Sequence, residues 1–159
     1  MYYLLQFIFS AIATMGFGYY FQCPKKSIIF CGISGAIARI IFQFLNINYG
    51  EYFLGNFLGA IVIGFLGEFY ARKFLMPSSI FIIPSLTVLC PGNGIYYTMY
   101  NLVTGNRAKA LSNFTETIMT AGILAFGILI ASASSRSLNG FKRRKNEFSK
   151  NNQKKIIKF

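Results

Sequence analysis

The sequence contains no histidine and no tryptophan, and its acidic residues are only four glutamates: Glu51, Glu68, Glu116 and Glu147. Its three cysteines, Cys23, Cys31 and Cys90, are spaced too widely for a CxxC pair. Without histidine they give no zinc or haem framework, so no cofactor or metal is expected. An enzyme is also disfavoured, because Ser85 or Cys90 would be the candidate nucleophile and neither has a plausible general base beside it in the chain. The shortage of acids leaves sixteen Lys and Arg nearly unopposed, for a net charge of +12, yet nine of these cations lie from Arg136 onward. They follow an apolar body and lack the base-stacking context of a nucleic-acid module, so no nucleic-acid partner is expected. The start, Met1-Tyr2-Tyr3, has no basic n-region and no convincing cleavage site follows, which reads as a retained span and not a signal peptide.

What the chain does have is apolar surface. It is 54% hydrophobic and 18% aromatic with only 13% charged residues, and its mean hydropathy is +0.48. That excess needs lipid to cover it. A helix crossing a hydrocarbon core of about 30 Å takes roughly 20 apolar residues, and four stretches meet this: 2–21, 27–47, 52–71 and 115–135. A fifth, 79–104, is long enough but interrupted by Pro84 and by Pro91-Gly92-Asn93-Gly94. The expected fold is an all-α membrane helix bundle of about five transmembrane helices, the fourth broken at Pro91-Gly92. Short loops fall at 22–26, 48–51, 72–78 and 105–114. The domain division is 1–135 for the transmembrane part and 136–159 for a basic tail too polar to fold alone.

Loop cations orient the bundle. Lys25 and Lys26, Arg72 and Lys73, and the tail all fall on one side if there are five crossings. This places the C-terminus in the cytoplasm and the N-terminus outside, at the expense of Arg107 and Lys109 in the fourth loop. The run Lys142-Arg143-Arg144-Lys145 then suits anionic lipid at the inner face. Glycines such as Gly55, Gly59, Gly64 and Gly67 allow close helix packing; ordinary intramembrane packing accounts for them, and they leave homo-oligomerisation open.

Chemistry concentrates at the break. Non-helical backbone at membrane depth is tolerated only against protein or a watery cavity. A second half-helix beginning near Ile95 would point unpaired N–H groups and a positive partial charge at an anionic group, commonly a carboxylate. Thr87, Pro91, Gly92, Asn93, Gly94 and Tyr96 are the candidate substrate-binding residues there, with a merely structural kink as the plain alternative. Arg39 lies twelve residues, about 18 Å, into its span, and Pro91 lies as far from Ser79, so both belong near the midplane. An arginine at that depth is a functional candidate for holding a substrate carboxylate, or else a structural cation. Glu68 and Arg72, at i and i+4, read as an ion pair or a coupling carboxylate with its partner. Glu116 is placed at the start of the last helix, where it complements the dipole.

The stretch 77–92, PSSIFIIPSLTVLCPG, followed by Gly94-Ile95-Tyr96 and Met99, resembles the signature of the threonine/serine exporter family, in particular its small five-span subunit. The likeness extends over nearly all of 1–135. Cys90 stands where an aliphatic residue is usual before the Pro-Gly, and Arg39 matches no family motif. The resemblance implies a subunit of a secondary exporter in the inner membrane, moving small carboxylate-bearing solutes such as threonine and serine, or succinate-like dicarboxylates. It also implies a larger membrane subunit as partner and coupling to the proton gradient. A non-transporting assembly or scaffold subunit is the competing class.

Overall fold

The computed structural model describes the backbone of residues 2–156 and the side chains of residues 3–135. Among these residues the chain is all helix: α1 Tyr2–Tyr20, α2 Lys25–Tyr49, α3 Tyr52–Phe74, α4 Ser79–Leu86, α5 Gly92–Val103 and α6 Arg107–Ile156. Three stretches are long and apolar enough to cross a bilayer: Lys25–Tyr49, Tyr52–Phe74 and Arg107–Ser135. The 19-residue α1 and the short halves α4 and α5 fall outside that group.

The fourth helix is divided as its prolines and glycines require. Pro84 is accommodated inside α4, the backbone leaves the helix after Leu86, and α5 restarts at Gly92 with Pro91 as its N-cap. Restart at Gly92 is three residues earlier than expected, because proline's fixed φ suits the entry to a helix and the glycines do not resist it. At the other end, the loop expected over 105–114 is a correction. α6 begins at Arg107, so most of that stretch is two extra helical turns. Hydropathy reports contact with lipid, whereas Arg107, Ala108, Lys109, Ala110 and Leu111 are competent helix formers whatever their surroundings. The backbone of α6 continues to Ile156, although the composition of 136–159 favours no packed structure of its own. The lipid-binding role expected for Lys142-Arg143-Arg144-Lys145 falls on side chains outside the described residues.

Small residues set how the helices meet. Without water to drive helices together in lipid, association depends on close packing. A Cβ at Gly127 would stand 2.8 Å from Ala60 Cβ and 3.0 Å from the Phe57 carbonyl, and Gly64 meets Ala131 one turn further along. These matched positions run in the same sense, so α3 and α6 are parallel. Gly67 against Ile82 and Gly59 against Leu89 show the run from α4 into the break antiparallel to α3, and the short connection between Val103 and Arg107 together with Gly94 against Thr117 folds α5 antiparallel to α6. The α4–break–α5 segment therefore carries the chain from one end of the bundle to the other before α6 returns it.

Two clusters fill the interior. Ala38, Phe42, Ala60, Ile63, Ile82, Leu89 and Leu124 pack at mid-height. Nearer the start of α4, Cys31, Ala71 and Phe81 pack with Phe30, Tyr70 and Phe74, whose rings lie 4.8–6.1 Å apart. This second cluster also resolves the polar defect left by Pro84. Proline has no N–H for the carbonyl four residues before it, and the freed Ile80 carbonyl instead accepts from the thiols of Cys31 at 3.5 Å and Cys23 at 3.6 Å. Ser85 donates to the Phe81 carbonyl at 2.7 Å and lies 2.8 Å from the Ser34 hydroxyl, tying α4 to α2. No buried side-chain nitrogen or oxygen among the described residues lacks a partner, as a low-dielectric surrounding demands.

Candidate functional site

A cavity of about 750 Å³ opens where the helix is broken. Its walls come from every element except α4: Gln6 and Ser10 of α1, Arg39 and Gln43 of α2, Asn56 of α3, the break, Gly92 to Gly94 of α5, and Asn113, Glu116 and Thr117 of α6. It exists because α1 packs on α2 and α4 but, among the described residues, makes no contact with α5 or α6. The space between α1 and the α5–α6 hairpin is left open and carries a polar lining. The opposite end of the bundle is closed by the ring cluster around Phe81.

Of the expected residues, Arg39, Thr87, Pro91, Gly92, Asn93 and Gly94 line this cavity, and Tyr96 does not. Tyr96 lies 63% exposed on the outer face of α5, stacked on Tyr100 with centroids 6.2 Å apart. Its neighbour Tyr97 faces the cavity instead. One residue is about 100° of helix, so an error of one position in phase turns a side chain away.

Arg39 is half-buried, and its guanidinium lies 5.0 Å over the Phe42 ring. Among the described residues no side-chain hydrogen bond or ion pair holds it, which leaves its fork of donors to the cavity. Beside it, the first N–H groups of α5 have no intrahelical acceptor. Gly92 N–H bonds the Cys90 carbonyl at 2.8 Å and Ile95 N–H the Pro91 carbonyl at 3.2 Å, while no side chain caps the helix. The N–H groups of Asn93 and Gly94 remain, at the positive end of the helix dipole. Thr87 donates its hydroxyl to the Pro84 carbonyl at 2.6 Å, keeping only its oxygen lone pairs for a ligand.

Glu68 and Arg72 lie elsewhere. They are 3.8 Å apart, the one ion pair among the described residues. Arg72 also bonds the Ser135 carbonyl at 2.8 Å and the Ser135 hydroxyl, clasping α3 to α6 away from the cavity. Sequence reasoning passed over Glu116 as a cavity residue. Because α6 starts at Arg107, Glu116 is more than two turns in, not in the first turn, and its exposed side chain stands on the cavity wall. The available signal was the polar run Asn113, Glu116, Thr117 and Thr120 at i, i+3, i+4 and i+7, one stripe of an otherwise apolar helix.

The cysteines report on this geometry. Cys90 is exposed at the cavity, Cys31 is fully buried, and Cys23 is half-buried, with burial pushing the Cys23 thiol above its ordinary pKa. Thiolate and access both set reaction rate, so a water-soluble maleimide should label Cys90 at least about tenfold faster than Cys23 and leave Cys31 untouched. Mass spectrometry of the modified peptides checks this; equal labelling of Cys31 and Cys90 would contradict the packing described.

An all-helical chain with membrane-length apolar helices, one broken helix and a polar cavity at the break has the architecture of a membrane transport protein. The family model described as "Threonine/Serine exporter, ThrE" matches residues 6–134, and the chain belongs to that family. Relatives include an uncharacterised protein of Haemophilus influenzae, 26% identical over 136 residues, covering 80% of this chain and 46% of that protein. Another is a threonine/serine exporter of Corynebacterium glutamicum, 29% identical over 113 residues, covering 71% of this chain and 23% of that one. The chain thus spans less than half the length of these relatives. No solved structure matches.

Proposed function

We propose that this chain is the small subunit of a secondary exporter that moves small carboxylate-bearing solutes of the threonine/serine type across the inner membrane. The observation that carries the reading is convergence: the Arg39 guanidinium and the open N–H groups at the start of α5 share one cavity. Each favours an anion, and together they suit a single carboxylate without placing an uncompensated anion in lipid. Five crossings are supported by the parallel run of α3 and α6, which requires α4 and α5 jointly to traverse the bundle. With the basic ends at Lys25, Arg72 and the tail in the cytoplasm, the cavity lies in the outer half and the ring cluster around Phe81 closes the inner half. That is the release-facing state of an exporter, with proton coupling carried over from the family.

The larger partner is proposed from length and surface together. More than half of each relative's length lies outside the match, and α5 leaves Ile95, Tyr96, Met99, Leu102 and Val103 exposed with α6 as its only helical neighbour among the described residues. Anionic lipid at the basic tail completes the arrangement. The test is efflux of labelled threonine, serine and succinate from proteoliposomes, with and without the cognate larger subunit. Movement of at least one of them, dependent on both subunits, is expected. Movement of none in the co-reconstituted system would remove the assignment and leave an assembly role.

A further inference from the structure

Of the described residues lining the cavity, only two are charged, Arg39 and Glu116, and they carry opposite signs. No ion pair joins them within 4 Å; among the described residues only Glu68 and Arg72 are so paired. Both charges are therefore presented to the same space without neutralising each other by contact. The remaining polar lining is neutral: Gln6, Ser10, Asn46, Asn56, Asn93 and Asn113 are among it. A lone carboxylate on a wall built to hold an anion is counterproductive, since like charges at close range in a partly desolvated site repel. It becomes productive if the solute brings a cation of its own.

Glu116 is held where it can act. One residue on, Thr117 receives Gly94 in the contact that seats α5 on α6, so the glutamate stands on the wall next to the α5 start. The Thr120 hydroxyl donates to the Glu116 backbone carbonyl at 2.8 Å, which leaves the Glu116 carboxylate to the cavity.

We propose that Glu116 is the specificity-determining residue of this site, taking the ammonium of a zwitterionic solute whose carboxylate lies against Arg39 and the start of α5. The proposal rests on the transport reading above and chooses within it. Opposed single charges match a zwitterion and disfavour a dicarboxylate, which would need a second cation where Glu116 stands. A monocarboxylate of the same skeleton lacking the amine should also be rejected, because Glu116 would be left unpaired and repelling.

The test uses the full chain co-reconstituted with its larger subunit, and compares inhibition of labelled threonine efflux by threonine, by 3-hydroxybutyrate, which is threonine without its amine, and by succinate. Wild type should prefer threonine over 3-hydroxybutyrate by about 10- to 100-fold, the worth of a hydrogen bond to a charged group. Glu116→Gln should remove that preference, and Glu116→Lys should invert it in favour of 3-hydroxybutyrate and succinate. Thermal denaturation of each variant separates folding from selectivity, and the ratio between solutes is a readout that misfolding cannot invert. If Glu116→Gln lowers all three solutes equally, or changes only the pH profile, the specificity role is overturned while the Arg39 site stands. If Arg39→Gln leaves every solute unaffected, or wild type moves none, the transport-site reading itself fails and takes this proposal with it.

Discussion

Arg39→Gln is expected to reduce efflux at limiting solute by about 10- to 100-fold while leaving the protein folded, from the usual strength of charge-assisted hydrogen bonds. The two halves of that expectation come from the same observation. Arg39 makes one intramolecular contact of note, a stack on Phe42 at 5.0 Å, which is worth about 0.5–1 kcal/mol when part-exposed. Removing it should barely move the melting temperature. A structural arginine behaves oppositely: truncating it leaves buried carbonyls or carboxylates unpaired and destabilises strongly. Glutamine is preferred to alanine because it keeps much of the side chain's length and polarity while removing the charge and the fork. Arg39→Lys is expected to recover part of the activity, since lysine restores charge but not a bidentate fork. Normal efflux after Arg39→Gln, or loss of fold in step with loss of transport, would remove Arg39 from the site.

Gly94→Ala is expected to cost at least about tenfold in efflux and about 1–3 kcal/mol in stability, the usual range for overpacking a tight contact. A Cβ at Gly94 would overlap the Thr117 hydroxyl oxygen, with Thr117 Cβ 3.4 Å away. That oxygen is fixed by its own bond to the Asn113 carbonyl at 2.6 Å, so it does not swing aside without losing it. Among the described residues α5 packs on no helix but α6, and displacing this seat moves the N–H groups of Asn93 and Gly94 relative to Arg39. Thr117→Ala, which removes the obstructing atoms, should restore most of the loss in the double variant. A double-mutant cycle on efflux and on melting temperature measures it; additive effects would show that the Gly94–Thr117 contact does not position the site. The same reasoning leaves Gly92 tolerant, because nothing lies within 4 Å of a Cβ built there.

Features that depend on short sequence separation were legible. The helix break is one: Pro91 cannot donate, Gly92 and Gly94 resist nothing, and no fold could run an unbroken helix through them cheaply. The Glu68–Arg72 approach at 3.8 Å is another, a property of i,i+4 spacing on one helix. The start of α6 is not legible from apolarity, because Arg107 to Asn113 form helix without it. With that boundary hidden, the sequence alone places Glu116 at a helix end and does not reveal it as a cavity residue. Tyr96 lies outside the cavity for a related reason, since the phase of a short helix after an irregular break has no local determinant.

The sequence by itself determined that these residues form apolar helices, that the fourth is interrupted around Pro91-Gly92, and that charge gathers at one end of the chain. Those are consequences of composition and of bonds that proline lacks, and they hold in any arrangement. Only the tertiary structure decided that α5 leans on α6 while α1 stands apart, that Arg39 and Glu116 face one space, and that two cysteine thiols serve the carbonyl orphaned by Pro84. The reason is that a helix's rotation about its axis and its choice of neighbour are set by the fit of small residues such as Gly94, Gly127 and Ala131 against distant partners. A one-dimensional pattern carries no record of which of those fits is made.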